Sequence, residues 1–117
     1  MVMKSNYIPD RGDIVWLDFN PQTGREQSGR RPALTISPKA YNEKVGLAIF
    51  CPITSNVKGY PFEVKIPAKL KIKGVVLADH VKNLDWKIRK AKYICKFPSN
   101  NLLDVMERLN ILIGIDD

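Results

Sequence analysis

The sequence predicts a small, mainly β protein, a barrel of short strands followed by one C-terminal helix. Short runs rich in β-branched and aromatic residues alternate with segments rich in glycine, proline and polar residues, which is typical of strands and turns. Near the C-terminus the apolar residues instead recur every three or four positions, the period of a helix. A chain of 117 residues fits one hydrophobic core. We therefore expect a single domain over residues 1–117.

The predicted strands follow one another at short intervals. Residues 14–19 form the first strand, after the turn-like segment 11–13. The other strands are predicted over residues 32–37, 47–53, 62–66, 74–78 and 91–97. Residues 39–42 suit a short helical turn, and residues 81–86 suit either a strand or a bend. Five or six strands of this length favour a small barrel.

The last predicted element is a helix that starts near Ser99, a suitable N-cap, and stops at Gly114. One face of it is apolar and consists of Leu102, Val105, Met106, Leu109, Leu112 and Ile113. Leu103 and Ile111 lie off this stripe, so the apolar surface is wider than one small barrel needs. The extra surface indicates a second copy of the chain, whereas docking onto its own barrel is the simpler interpretation.

Two polar loops are candidates for function, since long surface loops frequently carry binding residues. The first loop covers residues 20–30 and contains Arg25, Glu26 and Arg30. The second loop covers residues 54–61.

The net charge of +7 is unevenly distributed along the chain. Residues 1–57 carry +2, residues 58–96 carry +8 and residues 97–117 carry −3. A basic segment of this size favours a polyanionic partner, because lysine and arginine contacts to phosphates release counterions. A merely solvated lysine surface is the other interpretation of the same charges.

The composition excludes several classes of protein. The apolar runs are far shorter than the roughly 20 residues of a membrane span, and residues 1–11 lack the apolar core of a signal peptide, so we expect a cytoplasmic protein. Cys51 and Cys95 have no CxxC spacing and His80 is the single histidine, so neither a disulfide scaffold nor a zinc site is expected. The phosphate-binding motif GxxxxGK[ST] does not occur. We expect neither a metal ion nor a cofactor.

Two strand ends carry residues suited to binding a phosphodiester. Arg31 stands before Pro32 at a strand start, and a guanidinium group can bind two phosphate oxygens at once. Thr54 follows the third strand, and its hydroxyl can bind another oxygen. If the second and third strands pair, both side chains lead toward the same surface. Alone this pattern is weak, because an arginine at a strand start is more often part of a surface ion pair.

Gap-free blocks of sequence along nearly the whole chain carry a family resemblance. They include YIPD at 7–10, RGDIVW at 11–16, DFNP at 18–21, GREQSGRRPA at 24–33, PIT at 52–54, KGYPFEV at 58–64, LADHVK at 77–82 and NILIG at 110–114. Together they resemble the MazF/PemK family of toxins from bacterial type II toxin–antitoxin systems, and most closely its MazF branch.

This resemblance implies an SH3-like barrel that forms a homodimer, binds RNA along the dimer and cleaves single-stranded RNA, such as mRNA, at a short sequence motif. The family's enzymes are endoribonucleases that need no metal. A cognate antitoxin of the MazE type is also implied, with an acidic, flexible C-terminal segment that folds onto the toxin. Carried over by motif, the catalytic arginine is Arg31 and the catalytic threonine is Thr54. Glu26 matches the acidic residue of the first loop.

Metal-free RNA cleavage uses the 2′-OH as an internal nucleophile and leaves a 2′,3′-cyclic phosphate and a 5′-OH. The protein must hold the phosphate in line, neutralise the charge that builds on its oxygens and help to move two protons. Arg31 suits stabilisation of the phosphate and can donate a proton to the leaving 5′ oxygen, and Thr54 suits a hydrogen bond to the phosphorane. Glu26 can accept the 2′-OH proton or only position Arg31, and a plain surface carboxylate is equally compatible.

The residues predicted to contact RNA are Arg25, Arg30, Lys58, Tyr60, His80 and Lys82. Lys58 and Tyr60 combine a phosphate-binding charge with a stacking ring on a glycine-hinged loop. Arg30 stands where relatives can have a histidine, and His80 stands where at least one relative has a glutamine. These departures bear on the sequence preference more than on the activity.

Two other functions fit the same fold. A dimeric barrel can poison a protein target such as DNA gyrase, as the CcdB toxins of similar fold do, and a barrel can bind single-stranded RNA without cleaving it. Arg31 and Thr54 favour a nuclease, because a gyrase poison does not require them. The basic middle segment favours RNA as the partner.

Overall fold

The computed structural model describes residues 6–19 and 29–114. Within these residues the chain forms seven strands and two helices. The strands are β1 Asp13–Asp18, β2 Arg30–Thr35, β3 Ala48–Thr54, β4 Glu63–Lys65, β5 Val75–Leu77, β6 Lys82–Leu84 and β7 Lys92–Lys96, and the helices are α1 Lys39–Val45 and α2 Ser99–Ile113. The prediction of a mainly β chain with a C-terminal helix is confirmed. Neither α1 nor α2 is long and apolar enough to cross a membrane.

The strands pair antiparallel, and β3 is the central strand. The order is β4-β5-β3-β2-β1-β7, and β6 also pairs with β3. The first half of β3 pairs with β6, so that Ala48 faces Leu84, and its end pairs with β5, so that Thr54 faces Val75. Thr54 therefore lies where β3 joins the small β4-β5 part of the sheet to the rest.

Apolar residues are buried on both faces of the sheet. On one face Val105 of α2 packs in a cluster with Ile14 and Leu34. On the other face Val15 and Leu17 belong to a second cluster. Ile14 and Val15 enter different clusters because neighbouring side chains on a strand point to opposite faces. The apolar run of β1 is explained by burial on both sides.

Helix α2 buries only part of its predicted apolar face. Val105 and Leu109 are buried in the core. Ile113, which belongs to the same predicted stripe, is 73% exposed, and the off-stripe Leu103 and Ile111 are 59% and 67% exposed. The helix therefore carries more apolar surface than its own sheet covers.

The start of β2 differs from the prediction. The strand begins at Arg30 rather than at residue 32, because Arg30 and Arg31 pair with Asp18 and Leu17 of β1. The prediction that Arg30 belongs to the first loop was wrong. Residues 20–28, which form most of that predicted loop, lie outside the described residues.

The start of α2 differs from the prediction, and its end agrees with it. Ser99 is the first residue of α2 and not its cap, since Pro98 holds the N-cap position without a side-chain hydrogen bond. Gly114 does end α2, and its N–H donates to the carbonyl oxygen of Asn110 over 2.8 Å. The predicted turn at residues 39–42 is the longer helix α1, and residues 81–86 contain the short strand β6.

Candidate active site

The pairing of β2 with β3 relates Arg31 to Thr54. The paired positions run from Thr35 opposite Phe50 to Ala33 opposite Pro52, which is the last pair toward the start of β2. Continued by two residues toward the start of β2, this register sets Arg31 opposite Thr54. Opposite positions of an antiparallel pair lie on the same face of the sheet. Arg31 is exposed and Thr54 is partly exposed, so both are open to a substrate.

The hydroxyl group of Thr54 is oriented by the turn that follows β3. The backbone N–H of Asn56 donates to Oγ1 of Thr54 over 3.1 Å. A hydroxyl group that accepts one hydrogen bond still has its own proton to donate. The Asn56 contact fixes the oxygen and leaves this proton for an acceptor such as a phosphate oxygen.

Gly74 holds the end of β3 in place and was not singled out from the sequence. Its φ of +120° is rarely adopted by other residues, and a Cβ atom there would overlap with the backbone carbonyl of Thr54. The carbonyl oxygen of Gly74 accepts the N–H of Ile66 over 3.0 Å, which joins the turn to the end of β4. The close approach of Gly74 thus fixes the backbone that carries Thr54.

Arg30 does not join Arg31 and Thr54. Its Nη1 donates to Oδ1 of Asp18 over 2.9 Å, and its Nη2 donates to the carbonyl oxygen of Lys90 over 2.6 Å. Neighbouring residues on a strand point to opposite faces, so the side chain of Arg30 leaves β2 on the other face from Arg31. A contact between Arg30 and RNA stays a prediction.

The loop after β3 is organised by Glu63, another residue that the sequence patterns did not indicate. Its carboxylate accepts the N–H groups of Lys58 and Gly59 over 2.9 and 2.8 Å. Gly59 has a φ of +84°, so the loop uses the conformational freedom of glycine at this point. Glu63 therefore holds the segment that presents the exposed Lys58.

Asp79 brings Tyr60 and His80 together. The Tyr60 hydroxyl donates to Oδ1 of Asp79 over 2.8 Å, and Nε2 of His80 lies 3.8 Å from the same oxygen. Burial of the phenol, followed by its hydrogen bond to Asp79, raises the pKa of Tyr60 to about 12. Asp79 thus holds Tyr60 next to His80, and both of these residues were predicted to contact RNA. The role of Asp79 depends on contacts made in the folded chain, which no local motif indicates.

Of the remaining predicted site residues, Lys82 lies elsewhere on the sheet, and Arg25 and Glu26 are outside the described residues. Lys82 pairs with Phe50 of β3. Phe50 stands four positions before Thr54, so the two residues are about 13 Å apart along the strand. In the described ranges 6–19 and 29–114 no group of three His, Cys, Asp or Glu residues is placed to hold a metal ion.

The comparison with protein families decides what kind of protein this is. The model of the PemK-like, MazF-like toxin of type II toxin–antitoxin systems matches residues 10–113. The chain belongs to this family. The match spans β1 to α2 and includes both Arg31 and Thr54, so the resemblance predicted from the sequence blocks is confirmed.

Characterised MazF-like relatives are similar over their full length. The endoribonuclease toxin MazF of Escherichia coli K12 is 43% identical over 112 residues, which cover 96% of this chain and 100% of that protein. The endoribonuclease EndoA of Bacillus subtilis is 30% identical over 94% of this chain and 98% of its own length.

Solved MazF structures match the fold. The crystal structure of MazF from Deinococcus radiodurans superposes with a TM-score of 0.89 at 53% identity, covering 94% of this chain and 100% of that one. A MazE–MazF crystal structure from the same organism superposes with a TM-score of 0.85 at 48% identity, covering 95% and 100%. The mainly β architecture with one C-terminal helix is therefore that of MazF.

Proposed function

We propose that this chain, a MazF-like endoribonuclease toxin, cleaves single-stranded RNA at a short sequence motif through the RNA's own 2′-OH and without a metal ion. The observation that supports the proposal is the β2–β3 register, which, extended by two residues from the pair Ala33–Pro52, puts Arg31 and Thr54 on one face at an accessible end of the sheet. An arginine and a hydroxyl on one face are the groups that a phosphodiester in a charged transition state requires. The products are a 2′,3′-cyclic phosphate and a 5′-OH.

The reaction assigns a task to each of the three predicted catalytic residues. The 2′ oxygen bonds to phosphorus as the bond from phosphorus to the 5′ oxygen breaks, so one proton leaves the 2′-OH and one reaches the 5′ oxygen. Arg31 binds the non-bridging oxygens and supplies the proton of the leaving group, while Thr54 donates a hydrogen bond to the phosphorane. Glu26 is the candidate acceptor of the 2′-OH proton. A changed pH–rate profile after replacement of Glu26 would support this role, whereas an unchanged profile would support positioning of Arg31.

The surroundings of the pair suit a polyanion. Residues 58–96 carry a net charge of +8. Lys58 is presented by a loop that Glu63 fixes, and Asp79 holds Tyr60 for contact with a base or ribose. Charged groups and aromatic rings of this kind bind single-stranded RNA by phosphate contacts and stacking.

The proposal includes two protein partners. The exposed apolar residues Leu103, Ile111 and Ile113 of α2 support a homodimer, because burial of such a surface is the usual source of association energy. MazF of Deinococcus radiodurans was crystallised with MazE, which supports a cognate antitoxin of the MazE type here. An acidic segment of that antitoxin competes with RNA for the basic surface. We place this activity in the cytoplasm, where mRNA is the available substrate.

The deciding experiment is incubation of the purified protein with a labelled single-stranded RNA in EDTA. Cleavage that yields cyclic phosphate and 5′-OH ends is the expected result, and Arg31→Ala at equal concentration is the control for contaminating nucleases. RNA that stays intact in EDTA but is cut after Mg²⁺ is added would contradict the mechanism. Intact RNA under both conditions, together with inhibition of DNA gyrase, would instead support a CcdB-like poison.

A further inference from the structure

A basic and aromatic cavity lies beside the start of β2, separate from the Arg31–Thr54 pair. Its volume is about 830 Å³, and it is lined by Tyr7, Arg30, Trp86, Lys87, Lys90, Ala91, Lys92 and Tyr93. Ligand-binding cavities typically have volumes of roughly 300–1,000 Å³, so this one can hold a group the size of a nucleotide. Arg30 is the one lining residue that the predicted site already includes.

The wall formed by residues 85–91 is a preformed turn. Oδ1 of Asp85 accepts the N–H groups of Lys87 and Ile88 over 3.1 and 2.9 Å. Nε1 of Trp86 donates to the carbonyl oxygen of Asn42 over 2.9 Å, which ties the turn to α1. Lys90 has a φ of 55°, a left-handed conformation that is uncommon for lysine and is fixed here by its neighbours.

The cavity has an excess of positive charge. Asp18 is paired with Arg30, and the carboxylate of Asp85 is committed to backbone N–H groups. Lys87, Lys90 and Lys92 are exposed, and across the described ranges none of their ammonium groups has a hydrogen-bond or ion-pair partner. Three unpaired ammonium groups around one cavity favour an anionic ligand with more than one charge.

An aromatic ring stands beside these lysines. Tyr93 is 47% exposed, and its ring packs edge to face on Tyr7 with centroids 5.9 Å apart. The Tyr7 hydroxyl donates to Oδ2 of the buried Asp13 over 2.6 Å, so the supporting ring is held in place. A fixed, half-exposed ring next to lysines is the combination that stacks a base while binding its phosphate.

We propose that this cavity is a second RNA subsite, which binds a nucleotide outside the cleaved bond with its phosphate on the lysines and its base on Tyr93. The subsite rests on the proposed RNA cleavage, because Arg30 lines the cavity and the adjacent Arg31 is the proposed catalytic residue. Arg31 faces Leu17 across the β1–β2 pair, and Leu17 belongs to the same apolar cluster as Trp86 of the cavity lining. Neighbouring nucleotides of an RNA that is held at Arg31 can therefore reach the cavity. An exposed ring among the lysines favours RNA over an acidic antitoxin peptide, which has no base to stack.

The test measures binding of uncleavable RNA to the intact protein. Mixed-sequence 2′-O-methyl RNAs of three and of nine nucleotides are titrated against wild type, Lys87→Gln/Lys90→Gln, Tyr93→Leu and Tyr93→Phe. Lys69→Gln/Lys71→Gln removes the same charge from exposed lysines between β4 and β5 and serves as the matched control. Circular dichroism confirms that each variant is folded.

The cavity variants are expected to weaken binding of the long RNA by about tenfold and to affect the short RNA much less, whereas Tyr93→Phe and the control pair stay near wild type. For the Lys87→Gln/Lys90→Gln protein, the plot of log binding constant against log salt concentration should also become shallower. The expected change in slope is about 0.7 for each lysine that contacts a phosphate. Equal losses in the cavity pair and the control pair, or none in Tyr93→Leu, would overturn the subsite.

Two further results separate the subsite from its alternatives. Loss of affinity for an acidic antitoxin peptide, with RNA binding unchanged, would assign the cavity to the peptide and overturn the proposal. Because the probes cannot be cleaved, the binding result stands apart from catalysis. A protein that binds long RNA through the cavity yet leaves ordinary RNA intact would contradict the proposed cleavage and still support the subsite.

Discussion

The phenolic hydroxyl of Tyr60 donates a hydrogen bond of 2.8 Å to Oδ1 of Asp79 and so ties the loop before β4 to the turn after β5. His80 lies 3.8 Å from the same oxygen. Asp79 thereby positions the Tyr60 ring close to the His80 imidazole, 20 residues further along the chain. The Tyr60–Asp79 hydrogen bond thus orders two segments that are otherwise surface-exposed.

Replacing Tyr60 with phenylalanine is expected to reduce the loss of stability at alkaline pH. Burial and the hydrogen bond to Asp79 raise the pKa of Tyr60 to about 12, compared with about 10 for a free tyrosine. Folding therefore favours the protonated phenol, and this stabilisation is complete below about pH 10 and lost as the pH rises through about 12. Urea unfolding across this alkaline range measures the effect. A Tyr60→Phe protein with the same pH dependence as wild type would contradict it, and Tyr41→Phe is the matched control.

Arg31→Ala is expected to lower kcat by about 100-fold or more, the range found when one preorganised charge stabiliser is removed. Its free energy of unfolding should stay within about 0.5 kcal/mol of wild type, because the side chain is exposed. Arg30→Ala is the matched comparison and should raise KM more than it lowers kcat, since Arg30 is paired with Asp18 on the other face. Single-turnover cleavage of a labelled RNA gives these values. A folded Arg31→Ala protein that cleaves at nearly the wild-type rate would exclude Arg31 from the mechanism.

Gly74→Ala is expected to impair both folding and cleavage. The added methyl group would overlap with the backbone carbonyl of Thr54. The alanine would also have to adopt a φ of +120°, which residues with a Cβ atom rarely do. Gly46→Ala is the control, because Gly46 has a φ of +83° with nothing within 4 Å of the added atom. The control should lose about 1 kcal/mol of unfolding free energy from the backbone conformation alone. Gly74→Ala should lose more and should reduce kcat, and equal losses in the two variants would contradict a steric role for Gly74.

Charged residues on the exposed side of α2 are expected to separate the proposed dimer. Ile111→Asp and Ile113→Asp alter positions that are 67% and 73% exposed, so a monomer should tolerate them. Light scattering should show wild type at twice the chain mass of 13.3 kDa and the variants close to that mass. Val45→Asp, at another exposed apolar position, is the control and should stay dimeric. Wild-type protein with the single-chain mass at micromolar concentration would contradict the dimer.

Local patterns in the sequence predicted much of the fold because they reflect local physics. The continuous apolar run of β1 follows from burial on both faces, and the three- and four-residue steps of α2 follow from one buried stripe. Ser99 failed as a cap because Pro98 already has the extended conformation that an N-cap needs. The start of β2 was misplaced because its pairing with Asp18 outweighs the low strand propensity of two arginines.

The candidate site was only partly predictable, because several of its contacts depend on how the chain folds and not on local sequence patterns. Arg31 and Thr54 stand out at strand ends, the first directly before Pro32 and the second two residues after Pro52, but their placement on one face depends on the β2–β3 register. Glu63, Gly74 and Asp79 act through partners whose contacts appear only in the folded chain. None of these three belongs to a pattern of residue types that indicates chemistry.

Joint action of Arg31 and Thr54 on one phosphate is tested most directly by a double-mutant cycle. Single-turnover cleavage of one labelled RNA in EDTA is measured for wild type, Arg31→Ala, Thr54→Ala and the double variant. Residues that act on the same transition state are non-additive, so the double variant should lose much less than the product of the two single losses. Losses that multiply fully would show that the two residues act independently and would contradict the shared phosphate site.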